Sequence, residues 1–223
     1  MRTKTLLLAA VLSAAGAASS LAQVYSVNIV GYINLTLVPG LNLITVQLKG
    51  TNQNVNTLLG TTTPQIPDNS LLFTWNAAGQ KYDNALIGAG GQWYDANGPA
   101  AVNLSPGQAF FIQVPAGSPN ITLTLVGDVP TGATPVSVVN GLGFYGDPAP
   151  VSQDISTNGF PIADNDALYT WNTAQQKWNN ALIGASGSWF DANGPVVFAP
   201  AVGQGFAVLH TGAATWNRNF TVQ

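Results

Sequence analysis

The stretch that decides the fold is residues 71–99, LLFTWNAAGQKYDNALIGAGGQWYDANGP, which recurs at residues 167–195 as ALYTWNTAQQKWNNALIGASGSWFDANGP. At this offset of 96 residues (167 − 71), 20 of the 29 positions are identical. The same offset, continued towards the end of the chain, predicts that Val126 corresponds to Val222. A tandem duplication of this length indicates two similar modules rather than one large domain.

Strand patterns lie on both sides of each repeat. They are short segments rich in β-branched and aromatic residues, separated by Gly, Asn and Pro turns, and no mature window keeps a 3.6-residue apolar period. The segments predicted as strands are 24–37, 41–48, 71–75, 108–114, 120–126, 167–171, 204–209 and 217–222. The pattern predicts an all-β protein with two tandem homologous antiparallel β-sandwich-like modules, residues 23–127 and 128–223.

The first 22 residues have the pattern of a secretory signal peptide. Arg2 and Lys4 give a positive start, residues 6–12 are apolar, and residues 20–22 (Ser-Leu-Ala) fit a cleavage site. The apolar run is shorter than the ~18 residues that a membrane span needs, and no later run reaches that length. The sequence therefore predicts a secreted protein, extracellular or at the cell surface, without a membrane span and starting at Gln23 when mature.

Charged residues are rare. They make up 7% of the chain, against about 25% in a typical soluble domain, and cysteine and glutamate are absent. After residue 22, four Lys or Arg stand against nine Asp, a formal charge of 4 − 9 = −5, which argues against nucleic acid as a partner. Strand edges without lysine pair readily with other strands. Two interpretations stay open: an ordinary low-charge secreted protein, or a surface that copies of the chain cover.

No catalytic constellation occurs in both copies. His210, the single histidine, corresponds to Val114 in the first copy, so we expect it to be a surface residue. In the first copy, Asp68 and Asp95 have acidic counterparts in the second, but both lie in turn sequences, where Asp commonly bonds backbone N–H groups. We therefore predict no catalytic residue, no enzyme activity and no cofactor.

Two Asp-Ala-Asn-Gly turns have the spacing of half a calcium loop. Asp95 and Asn97 in the first copy, and Asp191 and Asn193 in the second, place oxygen ligands on alternate residues before a glycine. The downstream glutamate of such a loop is missing, because the chain has none. A calcium site completed by backbone carbonyls and a tight turn without metal are the two alternatives.

Aromatic residues are the best candidates for ligand binding, because sugars stack on exposed aromatic faces. The candidates that occupy matched positions are Trp93, Tyr94, Trp189 and Phe190. In each copy the two aromatic residues are adjacent, so their side chains point to opposite faces of the strand. Trp75 and its counterpart Trp171 are expected in the core, since Phe73 and Trp75 share one strand face.

The N-terminal strand, residues 24–37, has no module before it. It can fold back on its own module, or it can pair with the free edge of the C-terminal module in another copy by β-strand addition. Head-to-tail contacts of the second kind extend into filaments unless they close into rings. The residues predicted to form the donor interface are Val24, Tyr25, Val27, Ile29, Tyr32, Ile33 and Leu35.

Several short motifs together resemble a group of secreted tandem-repeat β proteins that are abundant in verrucomicrobial and related bacteria. The motifs are Val-Asn-Ile-Val-Gly-Tyr at 27–32, Pro39-Gly40, Phe-Thr-Trp-Asn at 73–76, Tyr-Thr-Trp-Asn at 169–172 and Pro-Gly-Gln-Ala-Phe-Phe at 106–111. The second copy departs from the last motif at 202–207, where the proline and the second phenylalanine are missing. The resemblance implies export and a duplicated β fold, and it implies no activity.

Together these observations predict a secreted, non-enzymatic structural protein, the subunit of an extracellular fibre or surface layer in which copies bind each other by strand addition. The alternative is a monomeric carbohydrate-binding or adhesion protein whose partner is an extracellular polysaccharide.

Overall fold

A computed structural model describes residues 29–60 and 65–222 of the chain. The predicted signal peptide and the donor residues Val24, Tyr25 and Val27 lie outside the described residues. No helix in these two ranges is long and apolar enough to cross a membrane.

The described residues form one short helix and nineteen strands. The helix is α1 (Val55–Leu58). The strands are β1 (Val30–Leu37), β2 (Gly40–Thr45), β3 (Leu71–Phe73), β4 (Trp75–Asn76), β5 (Lys81–Tyr82), β6 (Leu86–Ala89), β7 (Gln92–Asp95), β8 (Gly98–Pro99), β9 (Ala109–Val114), β10 (Ile121–Asp128), β11 (Gly132–Val138), β12 (Gly141–Tyr145), β13 (Ala167–Asn172), β14 (Lys177–Trp178), β15 (Leu182–Ala185), β16 (Ser188–Asp191), β17 (Gly194–Val196), β18 (Phe206–His210) and β19 (Ala214–Phe220).

Strand pairing follows the same scheme in both halves of the chain, and every pair is antiparallel. The first half has a sheet in the order β2-β9-β3-β6-β7-β8, and the second half has β12-β18-β13-β15-β16-β17. Each half adds a two-stranded sheet, β1-β10 or β11-β19, and a short hairpin, β4-β5 or β13-β14. The all-β, antiparallel prediction is therefore confirmed, and the repeated sequence forms the same strand pairs twice.

The offset of 96 residues does not hold over the whole repeat. Gly40 pairs with Val114, and Gly141 pairs with His210, so the first two strands are offset by 141 − 40 = 101 residues. The turn before β19 is three residues shorter than the turn before β10, which reduces the offset of the last strand to 96 − 3 = 93. The prediction for Val126 is therefore wrong, because its counterpart is residue 219 (126 + 93), an asparagine.

Strand β1 folds back on its own half. It pairs with β10 along its whole length, from Val30 opposite Asp128 to Leu37 opposite Ile121. Its inward side chains, among them Ile33 and Leu35, are buried in the first hydrophobic core. Of the two alternatives that the sequence left open, the structure contains the fold-back.

This pairing corrects the donor assignment. Tyr32, Ile33 and Leu35 already belong to a ladder within the chain, so they are not available as a donor strand in this structure. Ile29 extends the same ladder, since its carbonyl accepts the N–H of Val129 at 2.7 Å.

Three hydrophobic clusters organise the molecule. One fills the first half and one the second, each between the larger sheet and the two-stranded sheet. The third lies between the halves and contains residues of both, including Leu43 and Phe111 from the first and Phe144 and Ala207 from the second.

Candidate functional site

Two of the four predicted glycan-binding residues are buried. Trp93 is 2% exposed and Trp189 is 0% exposed, so neither ring can stack on a sugar and the prediction is wrong for both. Tyr94 is 36% exposed and Phe190 is half-buried. Each lies opposite an exposed isoleucine of the neighbouring strand: Tyr94 opposite Ile87, and Phe190 opposite Ile183. These two residues stay accessible, but they lie on separate hairpins.

The predicted calcium residues form turns. Asp95 accepts the backbone N–H of Asn97 at 2.7 Å, and Asp191 accepts that of Asn193 at 2.7 Å. Within the described part of the chain, no group of three or more His, Cys, Asp or Glu side chains is placed to hold a metal ion. Each aspartate therefore uses one oxygen inside its own turn, as the tight-turn alternative expects.

His210 is not a surface residue. It is 5% exposed, and its Nδ1 lies 2.5 Å from a carboxylate oxygen of Asp166. Asp166 also accepts the N–H groups of Ala163 and Thr211 and the Thr211 hydroxyl. The Asp166 carboxylate therefore takes part in a local hydrogen-bond network. The prediction that His210 is a surface residue is wrong.

The two halves meet through hydrogen bonds that repeat in both directions. Trp75 of the first half donates its indole N–H to the carbonyl of Leu142 in the second half at 2.7 Å. Trp171, the counterpart of Trp75, donates in the same way to the carbonyl of Leu41 in the first half at 2.9 Å. The halves are therefore related like the two subunits of a symmetric dimer.

Matched glutamines complete this reciprocal contact. Gln80 bonds both the N–H and the carbonyl of Leu142, and Gln176 does the same to Leu41. Each glutamine lies against a glycine of the other half, Gly141 or Gly40, where an added Cβ would be 2.8 or 2.5 Å from the amide oxygen. Both glycines have a φ above 90°, a conformation that suits glycine.

Backbone bonds fix the relative position of the halves. Thr45 donates its N–H to the carbonyl of Gly203 at 3.0 Å, and Gly146 donates to the carbonyl of Gly107 at 3.1 Å. These are again counterparts, since 45 + 101 = 146 and 107 + 96 = 203. Side chains at this junction are thus held between two rigid sheets.

An open groove of about 440 Å³ follows this junction. Five aromatic rings and three aliphatic side chains line it: Trp75, Tyr82, Phe144, Tyr169, Trp178, Leu142, Ala207 and Leu209. Tyr82 is 42% exposed, Trp178 36% and Leu209 44%, so part of this apolar surface is open to solvent. Exposed aromatic rings in a concave site are typical of ligand binding.

The groove lies where two facing positions differ between the copies. Phe111 of the first half packs against Trp171 and Trp178, with ring centroids 5.3 and 5.9 Å apart. Its counterpart in the second half is Ala207 (111 + 96), which lines the groove. Opposite Ala207, Phe144 stands where the first half has Leu43, and its ring centroid is 5.2 Å from that of Trp75 and 5.7 Å from that of Tyr82. Each half therefore supplies one phenylalanine to the junction from a different strand, and the groove opens beside Ala207.

The electrostatics of the groove are neutral. None of its eight lining side chains is charged at pH 7. Burial raises the pKa of the Tyr82 hydroxyl above its ordinary value of 10.0, so this group stays protonated and able to donate a hydrogen bond at neutral pH. A ligand of this groove is recognised by ring contacts and neutral hydrogen bonds.

Sequence reasoning missed the groove, although two signals for it are present. Tyr82 and Trp178 are aromatic at matched positions of the two copies. The loss of the second phenylalanine in the second copy, at Ala207, marks a lining position of the groove at which the copies differ. What the sequence lacks is any sign that these residues of different repeats meet, because only the contact between the halves brings them together.

The fold and the groove together define a duplicated, antiparallel all-β protein with an aromatic cleft between its halves. Comparison with family models, curated proteins and solved structures finds no match to this chain. The resemblance to verrucomicrobial tandem-repeat proteins stays a prediction.

Proposed function

We propose that the protein is a secreted, non-catalytic carbohydrate-binding protein and that the groove between its halves is the binding site. The observation that supports this most is the open aromatic surface formed by Tyr82, Tyr169 and Trp178. The apolar C–H faces of sugar rings stack on such rings, while tyrosine hydroxyls accept or donate hydrogen bonds to sugar hydroxyls.

A neutral polysaccharide fits this groove better than an acidic one. The lining has no cation that would pair with a uronate or sulfate group. The mature chain is itself acidic, so an acidic polymer would be repelled over the whole surface. The groove is open rather than enclosed, which lets a long chain pass through it without an end being bound.

The groove supports binding rather than chemistry. Its titratable groups are the hydroxyls of Tyr82 and Tyr169, and no carboxylate lines it. Glycoside hydrolysis ordinarily needs two carboxylates on either side of the bond that is cleaved. Retention of a polysaccharide is therefore the activity that these residues favour.

Affinity electrophoresis in native gels tests the proposal. The gels contain a neutral polysaccharide (β-1,3-glucan, β-1,4-xylan or galactomannan) or an acidic one (alginate or polygalacturonate). We expect at least one neutral polymer to retard the protein and the acidic polymers to leave it unretarded. If none of the neutral polymers retards it, the proposed function is wrong.

A pair of matched variants locates the site. Trp178→Ala removes a 36% exposed ring from the groove, and Tyr94→Ala removes an equally exposed ring from a hairpin outside it. Loss of a stacking ring worth about 1.4 kcal/mol weakens binding about tenfold. We expect this loss for Trp178→Ala only, whereas a loss confined to Tyr94→Ala would place the site on the hairpin that the sequence predicts.

Assembly into a fibre or surface layer is the second candidate function. The low charge of the chain supports it, as does an unpaired strand edge on the first half. Strand β1 is not the donor in this structure, because it is already paired with β10. Any strand addition has to use another segment.

A further inference from the structure

A groove of about 650 Å³ follows the outer edge of β10. One wall is the backbone of β10 from Thr124 to Asp128. The apolar wall of the groove is formed by Val30, which is 66% exposed, and Leu58, with Val46 and Leu48 buried beneath at 1% and 2% exposure. It lies in the first half, away from the aromatic groove, and shares no lining residue with it.

The backbone of β10 has unused hydrogen-bonding groups along this groove. Val129 bonds Ile29 and so belongs to the pairs that link β10 to β1. Because antiparallel bonding alternates, Thr122, Thr124 and Val126 direct their N–H and C=O groups to the opposite side. No backbone group among the described residues bonds them there.

A single residue begins a ladder on this outer edge and does not continue it. Lys49 exchanges both backbone bonds with Asp128 at 2.8 Å, after which the chain leaves the edge at Gly50. The next two ladder positions, opposite Val126 and Thr124, lie along the groove, and the position opposite Thr122 follows on the same edge beyond it. An extended strand placed there would continue the ladder that Lys49 begins.

The second half covers the same edge with its own chain. The counterpart of Thr124 is Asn217 (124 + 93), and an added Cβ at Gly159 would lie 3.2 Å from the Asn217 carbonyl oxygen. Next to it, the Trp216 indole donates to the Asn158 carbonyl at 3.2 Å. The open strand edge is therefore on the first half. The sequence pattern predicted that the edge that accepts an added strand lies on the C-terminal half.

We propose that residues 24–28 of a second copy, VYSVN, bind in this groove as an added β-strand. The segment has five residues, the same number as the edge from Thr122 to Val126. Tyr25 and Val27 fall on one face of an extended strand, which suits the apolar wall of the groove. Repetition of this contact links copies head to tail.

In a mature chain that starts at Gln23, as the signal-peptide pattern predicts, the segment would be too short to reach the groove of its own chain. β1 runs antiparallel to β10, and Ile29, opposite Val129, lies past the Asp128 end of β10. To fill the edge from there the segment has to reverse direction and then span five positions. In a mature chain starting at Gln23, six residues precede Ile29, which leaves one for a reversal that takes at least about two.

Two variants of the chain that starts at Gln23 separate donor and acceptor. The first lacks residues 23–28 and keeps the groove. The second is Val126→Lys, which keeps the segment and places a cation in the groove at a 61% exposed position. Sedimentation velocity over a concentration series is expected to show chains of copies for the parent protein and monomers for each variant alone.

Mixing the two variants tests the direction of the contact. The groove of the shortened chain and the segment of Val126→Lys can form one contact only, so we expect a one-to-one dimer. Val197→Lys, the same change at a 74% exposed valine outside the groove, should assemble like the parent. A mixture that stays monomeric, or assembly that survives deletion of residues 23–28, overturns the proposal, and neither result depends on polysaccharide binding.

Discussion

The buried ion pair of the second half replaces an apolar contact of the first half. Asp147 and Arg218 are 0% and 4% exposed, and the Arg218 Nε lies 3.0 Å from the carboxylate. Their counterparts in the first half are Val46 (147 − 101) and Leu125 (218 − 93), both in the first core. The chain thus contains its own apolar control for a charged pair in the same fold.

Breaking the pair and replacing it should have unequal effects on the free energy of unfolding. Asp147→Val leaves the Arg218 guanidinium buried without its carboxylate, which costs about 3–5 kcal/mol. Asp147→Val combined with Arg218→Leu copies the first half and removes both desolvation costs. Such replacements are neutral or stabilising by about 1–4 kcal/mol. Because Asn158 Nδ2 and the Ala149 N–H also lose the carboxylate that accepts them, the double variant should be clearly more stable than Asp147→Val and at most about as stable as the parent.

Urea unfolding followed by tryptophan fluorescence measures both effects. With a slope of about 2 kcal/mol per M, a loss of 3 kcal/mol lowers the midpoint by about 1.5 M. We expect this decrease for Asp147→Val and its reversal, in large part, when Arg218→Leu is added. If the double variant is as unstable as the single one, the apolar environment assigned to this position, and the correspondence between the halves, are wrong.

Two further predictions concern the same fold. Burial raises the pKa of Asp147 above its ordinary value of 3.8, so the stability that this carboxyl contributes is present below pH 3.8 and is lost as the pH rises through the folded-state pKa. The stability of the parent relative to the Asp147→Val, Arg218→Leu variant should therefore decrease with pH over that interval in urea titrations, and a constant difference contradicts the assignment. Gln80→Ala and Gln176→Ala each remove two bonds to the other half, so each should cost about 1–3 kcal/mol by urea unfolding; a cost for only one of them would show that the junction is not reciprocal.

The repeated sequence was sufficient to predict the fold class. Two copies of one pattern form the same antiparallel pairs, as expected when the same apolar alternation is written twice. The register at the end of the repeat could not be predicted, because the turn after β18 is three residues shorter than the turn after β9. The two copies keep the same strands and differ in the length of this turn. The alternating strand patterns alone do not show the resulting change in offset from 96 to 93 residues.

The orientation of Trp93 and Tyr94 shows where sequence reasoning stops. Both are aromatic, so alternation requires one to face inward without saying which. The strand pairing decides, since Trp93 lies opposite Gly88 and its ring is 3.5 Å from the Cβ position of that glycine. The large ring fills the space over the glycine, and Tyr94 is left on the exposed face.

The candidate site could not be predicted for a different reason. Trp75 and Trp171 were expected in a module core, yet each lies at the junction and donates to the opposite half. A contact between two halves of one chain depends on shape complementarity over many residues, which a local pattern does not record. The position of Ala207 in the lining of the groove is known only once its surroundings are known.

Calorimetric titration of Ala207→Phe with the neutral polysaccharide that binds the parent protein tests the central claim most directly. The new ring stands at the position that corresponds to Phe111 and should occupy the groove beside Trp75 and Tyr82, the counterparts of Trp171 and Trp178. We predict that binding is lost while the thermal unfolding midpoint stays equal to that of the parent or rises. An Ala207→Phe variant that folds and binds the polysaccharide with unchanged affinity would contradict the account.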